Sequence, residues 1–213
     1  MVDDRERGVS MPSTFRIPKA PVTGLYGKFL TAYARRTYGE VPDGVHVYFH
    51  HKPVLKAVLG FEGKVAKWRE LDPSLKSYAQ LASASVIGCS WCMDFGYFLA
   101  HNDGLDEAKV REVPRWRESG VFTPLEREVL AYAEAMSTTP MTVTDEMTAS
   151  LLAQLGTRAV VELTQIVAVE NMRSRFNSAA GLQSQGYSDV CELPLAVPSG
   201  AVRDAPRDPS GHA

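Results

Sequence analysis

The sequence predicts an all-α protein built from two helical-hairpin halves. Apolar residues recur at the three- and four-residue spacing of a helix along most of the chain, and no segment shows the alternation typical of a β-strand. Two helix starts pair an N-cap residue with a proline, at Asp72-Pro73 and at Thr123-Pro124. Each start precedes an alanine-rich run and then a second helix, which indicates two similar hairpins packed together.

Three regions divide the chain. Residues 1–22 hold three prolines and little periodicity, so we expect an extended N-terminal arm. Residues 23–187 carry the helical pattern, and they form a single all-helical domain of ordinary globular composition. Residues 188–213 are rich in proline, glycine, serine and aspartate, which predicts a disordered C-terminal tail.

Turn residues and N-caps divide the domain into successive helices. The segment 45–51 is short and aromatic, and the last helix is apolar nearly all round, so we expect it to lie centrally. The pattern predicts helices at about 24–38, 53–70, 73–87, 89–101, 105–113, 124–137, 144–156 and 157–177.

The motif Gly88-Cys89-Ser90-Trp91-Cys92 falls where two of these helices join. If the second helix begins at Cys89, then Cys89 and Cys92 share one face of its first turn. The positive end of a helix favours thiolate over thiol. The spacing therefore allows a reversible disulfide, with Cys89 exposed to attack a substrate and Cys92 beneath it to resolve the adduct.

Two other interpretations of the cysteine pair stay open. Cysteine is among the most buried residue types, so both residues could be small core fillers. A zinc half-site is the third interpretation, but a structural zinc usually takes a second close pair of ligands, and the sequence shows none. Cys191 stands alone in the predicted tail and is read as an incidental thiol. We therefore predict neither a metal nor a bound cofactor.

The overall composition limits the partners and the compartment. The formal net charge is −2 and the pI is about 6.2, which gives no indication of a nucleic-acid or membrane partner. The first residues are mixed in charge with no apolar core after them, which is unlike a signal peptide. Three cysteines in such a chain are typical of a reducing compartment, so the expected location is cytoplasmic.

Five further side chains are candidates for a proton relay or a pocket wall, and each has a plainer structural interpretation. Asp94 could act as a base, or could satisfy the first turn of its helix. Tyr78 could line the thiols or pack between helices, and His50 and His51 could reach the site from another segment. Glu170, near the end of the apolar helix, could form a pocket wall or part of a hydrogen-bond network between helices or subunits.

The motif and its surroundings resemble a known family. Residues 82–95, and within them Gly88-Cys89-Ser90-Trp91-Cys92-Met93-Asp94, are similar to the carboxymuconolactone decarboxylase family, which includes the alkylhydroperoxidase D-like proteins. Residues 122–127 and 169–177 also resemble members, and the resemblance covers roughly residues 40–187. It implies an alkylhydroperoxidase D-like helical bundle that assembles into a homo-oligomer, a trimer or a hexamer.

The redox branch of that family carries out thiol–disulfide exchange without a bound cofactor. The resemblance implies a hydroperoxide substrate and an external thiol, a peroxiredoxin or a lipoyl-domain partner as reductant. By the family pattern Cys92 would attack the peroxide and Cys89 would exchange with the reductant, which reverses the assignment from exposure alone.

The chain departs from the redox branch at three positions. Ser77 stands where the family has a glutamate, and Gly96 and Trp91 stand where it has histidines. Those side chains relay protons, and such general acid–base help contributes about 10²–10⁴-fold to a rate. The expected activity is therefore a slow peroxidase. The alternatives are a carboxymuconolactone decarboxylase-like enzyme and a redox-inactive member that binds a small organic molecule.

Overall fold

The structure, a computed structural model, describes residues 15–197 of the 213-residue chain. These residues contain short 3₁₀ turns at Val113–Arg115 and Tyr187–Val190, and no β-strand. The α-helices are α1 Gly24–Tyr38, α2 Asp43–Tyr48, α3 Lys52–Val65, α4 Pro73–Ile87, α5 Ser90–Asn102, α6 Glu107–Val110, α7 Pro124–Ser137 and α8 Asp145–Ala180. The all-α prediction is confirmed.

None of the helices in this part of the chain combines the length and the apolar character that a bilayer span requires.

The helix starts predicted from the sequence are made by side chains. The Asp72 carboxylate accepts hydrogen bonds from the backbone N–H groups of Ser74 and Leu75, so it caps α4. Thr123 and Glu126 form a reciprocal capping box at the start of α7. Each arrangement satisfies N–H groups that have no partner within the helix.

Helix α4 is the centre of the bundle and contacts α5, α7 and α8. Its small residues Ala79 and Ser83 are fully buried, which lets the neighbouring helices approach closely. The pairs α4–α5 and α7–α8 are the two hairpins. The main core lies between them, and its largest fully buried side chains include Tyr78, Leu81, Tyr97, Leu130 and Leu163.

Helix α8 is kinked at Gly156, which has a φ of 77°. A positive φ is accessible to glycine and strained for residues with a side chain. The kink separates the two helices predicted from the sequence, and the second one continues to Ala180. Val161 on this second part is 63% exposed. Helix α8 contacts α4, α5 and α7, in agreement with the expected central position, while the face that carries Val161 is left uncovered within one chain.

Helix α3 ends at Val65, earlier than the predicted end near Glu70. The backbone N–H of Glu70 donates to the Glu162 carboxylate across 2.7 Å. The carbonyl of Trp68 accepts from Lys76 Nζ across 2.9 Å. These contacts with other helices replace the hydrogen bonds that a longer α3 would make.

Residues 185–197, here named the C-terminal strap, lie against the body of the protein. The Tyr97 hydroxyl donates to the Leu193 carbonyl across 2.6 Å, and the Ala196 N–H donates to the Arg111 carbonyl across 2.9 Å. Residues 188–197 therefore differ from the disordered tail that the sequence predicts. The reason is that groups in the body of the protein form hydrogen bonds with the backbone of the strap. Residues 198–213 of the predicted tail and residues 1–14 of the predicted arm lie outside the described residues.

Candidate redox site

The two cysteines lie at the corner where α4 turns into α5. Gly88 closes α4 in a left-handed conformation with a φ of 79°, and Cys89 is the N-cap of α5. Only these two residues separate the helices. The corner therefore fixes Cys89 and Cys92 on the first turn of α5, as the sequence predicts.

Cys89 and Cys92 form a disulfide, with their Cα atoms 5.3 Å apart. The backbone N–H of Cys92 donates to Sγ of Cys89 across 3.2 Å, so a sulfur makes the N-cap hydrogen bond of α5. A thiolate at this position would receive the same N–H group and the positive end of the helix dipole. The arrangement suits a thiol that ionises when the disulfide is opened.

Both sulfurs are covered within the single chain. Cys89 is 2% exposed and Cys92 is 7% exposed, so the expectation that Cys89 is the exposed sulfur does not hold in the disulfide form. The residues on either side of Cys89, Gly88 and Ser90, are exposed. Exposed residues therefore flank the buried Cys89 along the chain.

The indole of Trp91 forms one side of the cover. Trp91 and Met93 are partly buried and pack against the two cysteines and Ala84. The Trp91 ring stacks on Phe95 with their centroids 4.8 Å apart, and its Nε1 donates to Oε1 of Gln185 across 2.8 Å. The C-terminal strap thus holds an aromatic side chain beside the disulfide.

Asn177 of α8 supplies the polar neighbour of the disulfide. Its Nδ2 donates to Sγ of Cys92 across 3.3 Å, and Asn177 is buried. A hydrogen bond to sulfur stabilises a thiolate more than a thiol. The Cys92 side of the disulfide therefore has a polar neighbour, which the packing interpretation does not require.

Glu170 lies on the same face of α8 as Asn177, two turns earlier, with Ser174 between them. All three side chains are buried. Oε1 of Glu170 accepts from the Ser174 hydroxyl across 2.8 Å, and Oε2 lies 3.2 Å from Nη1 of Arg173. Burial raises the pKa of Glu170 more than the Arg173 guanidinium lowers it. This carboxyl therefore holds its proton more strongly than an exposed glutamate.

Arg173 is shared between two carboxylates. Its Nε donates to Oε1 of Glu62 across 2.8 Å, while its Nη1 contacts Glu170. The guanidinium therefore interacts with one carboxylate on α3 and one on α8. This is consistent with its limited effect on the pKa of Glu170.

Asp94 faces away from the disulfide and binds the C-terminal strap. Its carboxylate accepts from the backbone N–H groups of residues 185–188 and from the Ser188 hydroxyl. Burial opposes its ionisation, but these hydrogen bonds outweigh burial and lower the pKa of Asp94. All of these partners belong to the strap, and none belongs to the first turn of α5.

Tyr78 and the two histidines have partners elsewhere. Tyr78 belongs to the main core, where its ring packs edge-to-face against Phe122, and burial raises its pKa to about 12. Nε2 of His50 is 2.7 Å from the Pro18 carbonyl oxygen. Nδ1 of His51 accepts from the Val54 N–H and caps α3. The structure does not bring these three side chains to the disulfide.

Asn177 and Ser174 are the site residues that the sequence interpretation missed. Asn171 and Arg175 share another face of α8. The Asn171 amide donates to the Ser137 hydroxyl, and Arg175 Nη2 lies 3.3 Å from Oγ1 of Thr139, so both connect α8 with the end of α7. A signal was present, because polar residues at 170, 174 and 177 follow helical spacing within an apolar helix.

Comparisons with known proteins relate the sequence to one family. The family model described as "Carboxymuconolactone decarboxylase family" matches residues 52–135. The uncharacterised protein YnjA of Escherichia coli (strain K12) is 34% identical over 162 residues, which cover 75% of this chain and 87% of YnjA.

Solved structures share the fold at lower identity. The debrominase Bmp8 is 22% identical with a TM-score of 0.68, and the match covers 76% of this chain and 87% of Bmp8. A Bmp8 variant with one cysteine changed to alanine has been solved with 2,3,4-tribromopyrrole. A protein of unknown function from Agrobacterium tumefaciens, likened to the antioxidant defence protein AhpD, is 24% identical with a TM-score of 0.60, covering 64% of this chain and 94% of that one.

Proposed function

Because the chain belongs to the carboxymuconolactone decarboxylase family, with an alkylhydroperoxidase D-like fold, we propose that it is a thiol-dependent oxidoreductase that reduces hydroperoxides. One observation carries the proposal. The Cys89–Cys92 disulfide lies at the start of a helix with a side-chain amide, that of Asn177, directed at one of its sulfurs.

The proposed reaction has two halves. The Cys92 thiolate attacks a peroxide oxygen, the O–O bond breaks, and the departing alkoxide takes up a proton to become an alcohol. The Cys89 thiol then attacks the resulting sulfenic acid, so the disulfide forms and water leaves. Two electrons have passed from the thiols to the peroxide. Two external thiols reopen the disulfide and are themselves oxidised to a disulfide.

We assign the attack on peroxide to Cys92 because its sulfur has the side-chain donor. The Asn177 amide supports negative charge on that sulfur. The Glu170 carboxyl, whose pKa is raised by burial, is the proposed proton source for the departing alkoxide. It lies two turns before Asn177 on the same face of α8. It takes the place of the relay side chains that are absent at Ser77 and Gly96.

Cys89 is the proposed sulfur for exchange with the reductant. It lies between the exposed residues Gly88 and Ser90, so a partner thiol needs to displace little of the protein to reach it. The partner class is an external dithiol, carried by a lipoyl domain or a peroxiredoxin. A dithiol reductant requires reducing conditions, so the proposed location is the cytoplasm.

A homo-oligomer, a trimer or a hexamer, is the proposed assembly. Leu25, Phe29 and Tyr33 recur every four residues on α1 and are 88%, 71% and 53% exposed. An apolar stripe of this kind is commonly covered by another chain. Light scattering should give a mass of three or six chains, and a monomer that persists at high concentration would reject the assembly.

Sulfenic acid trapping tests the redox proposal and the roles of the two cysteines. With one equivalent of cumene hydroperoxide, Cys89→Ser should accumulate a sulfenic acid at Cys92 that dimedone captures. Cys92→Ser should give no captured adduct, and Cys191→Ser should retain full turnover as the matched control. Capture only in Cys92→Ser would reverse the roles. The absence of both capture and a dithiothreitol-reversible disulfide would remove the redox proposal.

The relay is tested separately with Glu170→Gln. This change keeps the size of the side chain and its contact with Ser174 but removes the transferable proton. We expect the rate with peroxide to fall about 100-fold, the lower end of general acid catalysis. An unchanged rate would exclude Glu170 from the reaction without touching the cysteine assignment.

A second candidate is the binding of a small aromatic molecule at the same site. Trp91 and Phe95 stack beside the disulfide, and the structural relative Bmp8 has been solved with a halogenated pyrrole. If this chain binds 2,3,4-tribromopyrrole, the bromine atoms should quench Trp91 fluorescence, and Trp91→Phe should abolish the response. Unchanged fluorescence at saturating ligand would reject this candidate.

A further inference from the structure

A second group of reactive side chains lies at the other end of α5. His101 is in the last turn of α5, Glu107 opens α6, and Cys191 follows the 3₁₀ turn of the C-terminal strap. A nitrogen of His101, a carboxylate oxygen of Glu107 and Sγ of Cys191 all lie within 4.8 Å of one another. His101 is nine residues after Cys92, about 13 Å along the helix axis, so the group is separate from the disulfide.

The Glu107 carboxylate is held on both of its oxygens. Nδ1 of His101 hydrogen-bonds to Oε1. Oε2 accepts from the backbone N–H groups of Glu192 and Leu193 across 3.0 and 3.3 Å. Backbone donors that fix one oxygen and orient the other are typical of the surroundings of a metal-binding carboxylate.

The three side chains offer an imidazole nitrogen, a carboxylate oxygen and a thiol sulfur at close range. A divalent cation beside Sγ of Cys191 favours the thiolate directly, because its positive charge stabilises the anionic sulfur.

We propose that His101, Glu107 and Cys191 form a binding site for a divalent metal ion of the zinc class. One nitrogen, one sulfur and one oxygen donor form a ligand set that a borderline-soft ion such as Zn²⁺ accepts. The ion replaces the hydrogen bond between His101 and Glu107, and Cys191 releases one proton. The two anionic ligands balance the charge of the ion. A fourth tetrahedral position is left for water.

The site would link three segments of the protein. It joins the end of α5, the start of α6 and the C-terminal strap, which is also held here by hydrogen bonds to Tyr97, Glu107 and Arg111. Metal binding should therefore stabilise the strap. Because Gln185 of the strap contacts both Trp91 and Asp94 of α5, it should also stabilise this side of α5.

Cobalt(II) is a suitable probe because a cobalt–thiolate bond gives a strong near-ultraviolet charge-transfer band. The parent for the test is the full chain with Cys89→Ser and Cys92→Ser, in which Cys191 is the remaining thiol. We expect one Co²⁺ per chain, a thiolate band, and displacement of the cobalt by Zn²⁺. Adding Cys191→Ser should abolish the band, and Glu107→Gln should weaken binding at least 10-fold while the strap stays attached.

A pair of histidine variants separates a ligand from a histidine elsewhere in the protein. His101→Ala should weaken binding at least 10-fold, whereas His46→Ala, which removes a histidine bonded to the Ala20 carbonyl, should leave binding unchanged. Circular dichroism checks that each variant is folded. A folded parent that shows no thiolate band, or equal binding with and without Cys191, would overturn the proposal. Peroxide turnover is not measured, so either result leaves the redox proposal standing.

Discussion

Asn177 donates its side-chain amide to Sγ of Cys92 across 3.3 Å, although the two residues are 85 positions apart in the sequence. The contact joins α8 to the first turn of α5. It gives the sulfur of Cys92 a buried polar partner, and it distinguishes this corner from one in which two cysteines only fill space.

Replacing Asn177 should slow the reaction of Cys92 with peroxide. In Asn177→Ala the thiolate loses its side-chain donor, and a hydrogen bond to a charged group contributes about 1.5–3 kcal/mol. We therefore expect single-turnover oxidation to be at least about 10-fold slower. The control is Asn171→Ala, whose amide binds the Ser137 hydroxyl instead. Equal rates for the two variants would contradict a role for Asn177.

Glu170 should make stability depend on pH. Burial raises its folded-state pKa above the ordinary value of 4.5, so the folded chain retains a proton that the unfolded chain releases. Stability therefore falls as the pH rises from about 4.5 toward the folded-state pKa. Glu170→Gln should flatten this part of the profile, as measured by urea unfolding over a pH series. Glu192→Gln, at an exposed position, is the control, and parallel profiles for both variants would contradict the interpretation.

Asp94 should stabilise the fold by holding the C-terminal strap. In Asp94→Asn the acceptor loses its charge and one of its oxygens, so we expect a loss of about 3 kcal/mol at neutral pH. Because the folded-state pKa of Asp94 is lowered, its contribution is present above the unfolded-state pKa near 3.8 and is lost as the pH falls through the folded value. Denaturation of Asp94→Asn and of the exposed control Asp103→Asn should therefore differ at neutral pH and converge in acid.

Gly88 and Gly60 offer a matched pair for backbone conformation. A Cβ added at either glycine meets no atom within 4 Å, so neither alanine variant clashes with a neighbouring residue. Gly88 has a φ of 79°, whereas Gly60 lies within α3. Gly88→Ala should destabilise by about 1–2 kcal/mol, and Gly60→Ala should stabilise by about 0.5–1 kcal/mol. Thermal melts should move in opposite directions, and a shift of the same sign in both would contradict this account.

Local chemistry explains which parts of the fold the sequence predicts. The N-caps Asp72 and Thr123, and the left-handed Gly88, act within three or four residues of themselves, so their effects can be read from short patterns. The corner that brings Cys89 and Cys92 together is predictable for the same reason.

Contacts between distant segments explain what the sequence does not predict. The end of α3 depends on the Glu162 carboxylate, 92 residues after Glu70. The order of residues 188–197 depends on acceptors and donors in α5 and α6, and the neighbour of Cys92 lies in α8. No local periodicity records such pairs.

The kink at Gly156 separates α8 into two portions, and the residues assigned to the redox site belong to the second. The turns before it, starting at Asp145, lie upstream of every α8 residue assigned to the redox site, whereas Glu170, Ser174 and Asn177 all follow it. Leu151, ahead of the kink, is fully buried in the main core, so this segment still supports the bundle. Exposed positions on it such as Glu146 are therefore the ones where a tag or label should leave the chemistry at Cys92 intact.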